Sequence, residues 1–334
     1  MLLTNYEIQY MGILRNIYEN GYEDGTNERT GISTKRLPCV TIRVDVEKEF
    51  PVLKTKKVFV NSAEHEIFWI WQQMSNNIHD LKPHIWDQWA DKNGSIGKAY
   101  GYQLRNPVTI NVGSHDKPDY RQYPNQPTFI LEYLREFPQG RWAKGTLWNP
   151  QELKDMHLCP CVHGTDWNLD GGRLNLVLTQ RSGDMPYGVP FNTTQYAMLM
   201  HMFARDLGVK PGILCHVIAD AHIYANQMEG VKQQLEMYEI FKERELSFYD
   251  VTEDDMATTK MLKEYIERYK PSRSDNTKYT LSEMQEMINK CDNCKPAKFE
   301  IDENITSFWD MTVDNAKLVD YYSMPKIDFG SVAV

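Results

Sequence analysis

Residues 173–180 read Arg-Leu-Asn-Leu-Val-Leu-Thr-Gln, the apolar/polar alternation of a half-buried strand, in which successive side chains point to opposite faces. Reactive side chains bracket this strand. Upstream lie Cys159 and Cys161, on either side of Pro160. Downstream come Arg181, a Gly188-Val-Pro-Phe segment that reads as a turn, and Asn192. Over 193–207 follows an apolar, methionine-rich helix that reads as core. From His157 to Asn192 one strand and the turns that flank it thus supply a thiol nucleophile, an anion holder and an amide able to read the edge of a base. A fold for this chain must be built around that unit.

At 334 residues the chain suffices for one long domain or two. Its 41% hydrophobic and 12% aromatic residues describe a globular protein. A net charge of −9 argues against a broad polyanion surface, since duplex nucleic acid is held by dense Lys and Arg contacts. No nucleic-acid partner is expected, although one small phosphate ligand stays allowed. Six cysteines without a framework, behind no leader, read as reduced thiols of a cytoplasmic protein. No apolar run approaches a membrane span, so no membrane partner is expected.

In chain order, residues 3–22 have helical apolar spacing that stops at Asn20-Gly21. The polar segment Thr26 to Gly31, with Arg29, reads as a solvated loop, and 38–46 alternate as a strand. Over 61–77 a buried helix is expected. Its Glu66, flanked by Ile67 to Trp71, is a candidate acid or base, or a helix-face carboxylate turned to water. Trp86 and Trp89 are core or a stacking platform for a flat heterocycle. Residues 107–127 read as an exposed connection, 127–136 as a short helix and 216–224 as a strand that presents His222 and Tyr224 on one face. About 238–295 the chain turns rich in Glu, Lys, Asp and Met at helical spacing, a helical insertion with a solvated face. Cys291 and Cys294 have the spacing of half a zinc site, without a second pair, and read as free thiols.

Nine of these pieces, in this order, resemble thymidylate synthases. They are Glu28-Arg-Thr-Gly31, Phe50 to Lys57, His65 to Trp69, Ile85 to Ala90 with Tyr100-Gly101, Pro160-Cys161, Gln180 to Asp184, Gly188 to Asn192, Asp220 to Tyr224, and the terminal Val332-Ala-Val334. The match spans about 3–237 and 296–334, and the wording around Trp86 and Cys161 is similar to the Bacillus-type branch.

The resemblance implies an α+β fold in which helices flank a mixed β-sheet, as a single domain over 1–334 with a helical insertion at about 238–295. It implies a homodimer with sheets back to back. The implied reaction is transfer and reduction of a one-carbon unit from 5,10-methylenetetrahydrofolate to C5 of dUMP, giving dTMP and dihydrofolate, with no metal. Residue by residue, it makes Cys161 rather than Cys159 the nucleophile that adds to C6, with Arg181 favouring its thiolate. Arg29, Arg181 and, from the other subunit, Arg141 would hold the 5′-phosphate, joined by Ser182. Asn192 would meet the O4/N3–H edge of uracil, and His222 and Tyr224 the 3′-hydroxyl. Glu66 with Tyr100 would manage water and protons at the pyrimidine carbonyl and C5. Trp86, Trp89, Asp184, Gly188 and Phe191 would wall the folate, with Asp184 also bordering the nucleotide. Lys56 would meet the folate glutamate, and Val334 would close over the site as a lid.

Four positions depart from the family pattern. Trp142 replaces a second arginine, Val162 a histidine, Asp166 a glutamine and Tyr187 a leucine. Placed by sequence near the base and folate pockets, these changes bear on whether the methylene intermediate meets hydride or water. The alternative reading is therefore a dUMP hydroxymethylase, and the remote one a non-catalytic nucleotide- or RNA-binding relative. The intact Cys161 and Arg181 and the acidic insertion speak against the latter.

Overall fold

A computed structural model describes residues 2–26, 30–247 and 254–331. The chain opens with helix α1 (Asn5–Asn20), whose first turn is capped by the Thr4 hydroxyl accepting from the Glu7 N–H at 3.1 Å. Strands β1 (Tyr22–Asp24) and β2 (Thr34–Asp45) follow, then α2 (Val60–Trp71) and the short α3 (Gly101–Leu104). A small hairpin of β3 (Val108–Asn111) and β4 (Tyr120–Tyr123) occupies what read as an exposed connection. Next come α4 (Gln126–Glu136), β5 (Lys144–Thr146), β6 (Val162–Asp170), β7 (Arg173–Gln180), β8 (Gly183–Asp184), α5 (Gly188–Leu207) and β9 (Lys210–Tyr224). Helices α6 (Met228–Ser247), α7 (Asp254–Tyr269) and α8 (Leu281–Asn293) precede the hairpin β10 (Lys298–Ile301) and β11 (Ala316–Val319).

The expected mixed sheet is present. Its order is β1-β2-β9-β7-β6-β5, with β8 also on β9. The β7 and β8 pairings with β9 are parallel and the others antiparallel. The alternation of β7 is realised in burial: Leu174, Leu176, Leu178 and Gln180 are buried while Arg173, Asn175, Val177 and Thr179 are half-exposed. The leucine face meets α5, which in turn packs on α2. One core therefore runs from sheet to helices and fixes the spacing between the cysteine on the sheet side and Glu66 on α2.

Two boundaries differ from the sequence reading in ways that matter for the site. Helix α5 begins at Gly188, not 193, because Pro190 falls in the first turn, where its missing N–H costs nothing. Asn192 is thus a helical residue rather than a turn residue. Helix α2 stops at Trp71, and Met74 at φ 50° turns the chain away from the expected helix end at 77. In the expected insertion the segment is helical, and α7 and α8 also bury Leu262, Tyr265, Met284, Ile288 and Cys291. The buried Lys54 donates to the Cys291 carbonyl at 3.0 Å, tying α8 to the loop that carries Lys56. All six cysteines are unbridged, and among the described residues no group of three or more His, Cys, Asp and Glu could hold a metal ion. No helix among them is long and apolar enough to cross a membrane.

Candidate active site

Cys161 enters β6, half-buried, with its main chain held from two sides. Its N–H donates to the Tyr100 hydroxyl at 3.1 Å, and its carbonyl accepts from the Arg181 N–H at 2.9 Å. The Arg181 side chain folds back over the same loop: Nε donates to the Pro160 carbonyl at 3.0 Å and Nη2 to the Cys159 carbonyl at 2.7 Å. Its guanidinium lies 5.7 Å from the Trp148 ring, whose other neighbour is His163 at 6.1 Å. A cation is thus locked beside the cysteine loop by charge-assisted bonds and an aromatic face. Cys159 contributes its carbonyl to this arrangement.

Across the site Glu66 is buried between α2 and α5. The Trp86 indole donates to Oε1 at 2.6 Å and Gln195 Nε2 to Oε2 at 2.8 Å. Burial pushes the carboxyl up to about 7, against the pull of those two donors. The reading in which Glu66 faces water is therefore excluded. Gln195 Oε1 in turn accepts from Asn192 Nδ2 at 3.3 Å. Trp86 is core as well as donor, with Tyr100 edge-on at 4.9 Å and Trp89, half-buried, at 5.2 Å. Tyr100 adopts φ 49°, a left-handed backbone that its contacts with Trp86 and Cys161 hold in place. Burial raises its phenol well above the ordinary range.

The third wall forms where β8 meets β9, a register that sets Asp184 opposite His222. Asp184 accepts from Gln227 Nε2 at 3.0 Å and from the Tyr187 N–H at 3.1 Å, and burial raises its carboxyl. His222 packs edge-on against Tyr224 at 5.0 Å. Lys56 is buried, donates to the Pro186 carbonyl and lies 5.0 Å from the Phe329 ring. Desolvation draws its ammonium down to about 8. It thus lies beneath the C-terminal segment and not on the surface, where an acidic ligand tail would first be met. Gly188 opens α5, Phe191 and Asn192 are half-buried one turn on, and half-buried Ser182 accepts from Gln180 Nε2 through its carbonyl at 2.8 Å.

Arg141 is exposed on the loop before β5 beside Trp142, which stacks on Tyr133 at 6.1 Å. Arg29 and Val334 lie outside the described residues. Two departures have partners that the sequence does not show. Asp166 pairs with Lys144 at 2.8 Å across β5 and β6, on a face that is partly solvated. Val162 is buried opposite Gln180 at a bulge in β6. Sequence reasoning missed Gln195, Trp148 and Gln227. Gln195 alone carried a signal, since it follows Asn192 by three on a helix and so shares its face.

A family model described as thymidylate synthase matches residues 8–282, from α1 through the motif at Asp220 to Tyr224 and into the helical segment. The thymidylate synthase of Clostridium beijerinckii is 38% identical over 265 residues, covering 76% of this chain and 94% of the relative. Thymidylate synthase 1 of Bacillus subtilis is 37% identical over 271 residues with the same coverage. Among solved structures, thermostable thymidylate synthase A from Bacillus subtilis superposes with a TM-score of 0.72 at 29% identity, over 98% of this chain and 99% of that one. By fold and by these matches the chain is an enzyme, a methyltransferase. More narrowly, it belongs to the thymidylate synthase family.

Proposed function

We propose that this enzyme converts dUMP to dTMP with 5,10-methylenetetrahydrofolate, which leaves as dihydrofolate, through a covalent bond between Cys161 and C6 of the pyrimidine. The observation that carries the reading is one continuous contact set. Cys161 is bonded to Tyr100, Tyr100 packs on Trp86, and Trp86 donates to Glu66, which Gln195 joins to Asn192. Nucleophile, buried carboxyl and base-reading amide are thereby mutually positioned.

Addition of the Cys161 sulfur to C6 sends an electron pair to C5 and the O4 carbonyl, so C5 becomes the carbon nucleophile. On this reading the Asn192 amide donates to O4 and accepts from N3–H, which favours uracil over cytosine. Glu66, poised near neutrality, can hold or release a proton near O4 and C5 within the same site. Arg181 supplies fixed positive charge beside the cysteine loop for a 5′-phosphate, with Ser182 next to it. His222 and Tyr224 form the sugar side.

The residues present fit a flat heterocycle. Trp89 and Phe191 offer half-buried ring faces, and each oxygen of Asp184 keeps a further lone pair for a ring N–H donor. When bound, the folate supplies the one-carbon unit and the hydride. Arg141, exposed on the loop before β5, would complete the partner's phosphate site in a homodimer.

The test is mass analysis of the nucleotide formed from dUMP and methylenetetrahydrofolate, with absorbance read at the dihydrofolate band. Equal appearance of dTMP and dihydrofolate is expected. Hydroxymethyl-dUMP with tetrahydrofolate, or no product at all, overturns the reading.

A further inference from the structure

The hydrogen bonds from Trp86 through Glu66 and Gln195 to Asn192 run in a direction set by their buried end. An indole can only donate, and Trp86 gives its N–H to Glu66 Oε1 at 2.6 Å. An ionised carboxylate can only accept, so Gln195 must turn the amino end of its amide to Oε2, as it does at 2.8 Å. The Gln195 carbonyl is then left facing Asn192. An oxygen at that position must be met by the Asn192 amino group, as it is at 3.3 Å. Gln195 is 2% exposed, so no bulk water can substitute for either end of its amide.

We propose that Gln195 is a specificity-determining positioning residue. It carries the polarity of Glu66 to Asn192 and thereby fixes which end of the Asn192 amide meets which atom of the pyrimidine. The inference rests on the dUMP reading above.

The chemistry follows from counting donors. With Asn192 Nδ2 turned toward Gln195, one of its hydrogens is held there and the second is available to the C4 substituent of a bound pyrimidine. Asn192 Oδ1 then faces N3. This pattern accepts uracil, which has an acceptor at O4 and a donor at N3–H. Reverse the chain and Asn192 Oδ1 lies toward Gln195 and the C4 substituent, while Nδ2 faces N3. That pattern accepts cytosine, with its amino group at C4 and its acceptor at N3. An asparagine alone is ambivalent between the two bases. The choice is made two residues away, where the Glu66 carboxylate at 2.8 Å and the Ala63 carbonyl at 3.4 Å both accept from the Gln195 amino group. The other titratable groups against Glu66 are Tyr100, from the loop before α3, and Tyr196 on α5. Burial keeps both neutral, so neither opposes its charge.

The experiment uses the full chain, after the wild type has been shown to form dTMP and dihydrofolate, so that failure of the functional reading is seen separately. Dissociation constants for dUMP and dCMP are measured by titration without folate, with thermal unfolding as the fold control. In Gln195→Met, which removes both ends of the relay at similar length, the preference for dUMP over dCMP falls about tenfold. In Glu66→Gln the residue must keep its carbonyl toward Trp86 and so presents an amino group to Gln195. The relay is then driven backwards, opposed only by the Ala63 carbonyl at 3.4 Å, and preference moves toward dCMP by about tenfold. A residue that merely filled space would weaken both nucleotides alike. A preference unchanged to within about twofold in either folded variant overturns the proposal. If Gln195→Met does not fold, the isosteric Glu66→Gln decides alone.

Discussion

Tyr187 donates its phenolic hydrogen to the carbonyl of Gly330 at 2.8 Å, linking the residue before α5 to the C-terminal segment. Phe329 packs edge-on against the same ring at 5.5 Å, and Asn226 Nδ2 donates to the Ser331 carbonyl at 2.9 Å. The close approach of this segment is visible at Gly230, where an added Cβ would lie 2.6 Å from the Phe329 ring. Tyr187 thus latches the segment over the Lys56 side of the site. Tyr187→Phe removes one hydrogen bond and keeps the ring, a loss of about 1 kcal/mol, or roughly fivefold. The expected outcome is a rise of about that factor in KM for methylenetetrahydrofolate with little change in KM for dUMP. Steady-state kinetics with each substrate varied in turn checks this, and equal KM values in variant and wild type would refute the latch.

Legibility in the sequence followed periodicity. The leucines of β7 and the spacing of α1 and α4 could be read because one face of each is buried, and burial leaves a period. The helix start is read at 193, after Asn192, because Gly-Val-Pro-Phe is turn-like locally, whereas Pro190 is also at home in a first helical turn. The resemblance puts Asp166 near the pockets, and the sequence does not show its partner. A strand sends neighbours to opposite faces, and its pairing with Lys144 is a property of the β5–β6 register. Gln195 was illegible in its role, since the bond that gives it that role reaches Glu66, 129 positions away in the chain.

Glu66 predicts an opposition between activity and stability. Its folded-state value of about 7 lies above the ordinary 4.5, so the native chain binds this proton more tightly than the unfolded one. The associated stability is fully present below the unfolded value and is lost as pH rises through about 7. Glu66→Gln abolishes that loss. Thermal unfolding should show the variant more stable than wild type at pH 8, by roughly 3 °C, and no more stable at pH 5. Turnover should fall at least about a hundredfold, the usual scale for a lost general acid or base. A stability difference that does not grow with pH would show that burial of this carboxyl is not the cause.

Asn192→Asp tests the base reader itself. An ionised carboxylate at 192 has no hydrogen for O4, yet it accepts from the amino group of cytosine. It also meets the Gln195 carbonyl with an oxygen, which forces that amide to turn and leaves Glu66 facing a carbonyl unless it takes a proton. The expected result is a shift in relative kcat/KM from dUMP toward dCMP of about tenfold or more, with the pH profile of the variant displaced upward. Unchanged relative turnover of the two nucleotides would remove the reason for assigning dUMP.

Arg141 predicts that the working enzyme is a dimer with shared sites. It is exposed on the loop before β5, beside a Trp142 that is 52% exposed and so presents a broad ring to a neighbour. If Arg141 serves the partner's phosphate, Cys161→Ala and Arg141→Glu are each inactive alone, one lacking the nucleophile and the other repelling the anion. Mixed and allowed to exchange, they form heterodimers with one intact site: Cys161 from the Arg141→Glu chain and Arg141 from the Cys161→Ala chain. Random pairing restores up to about a quarter of wild-type activity per subunit, since half the dimers are mixed and each has one good site of two. The assay is activity against time after mixing, with sedimentation to follow assembly. A mixture that sediments as dimers and stays inactive would place Arg141 outside the partner's site.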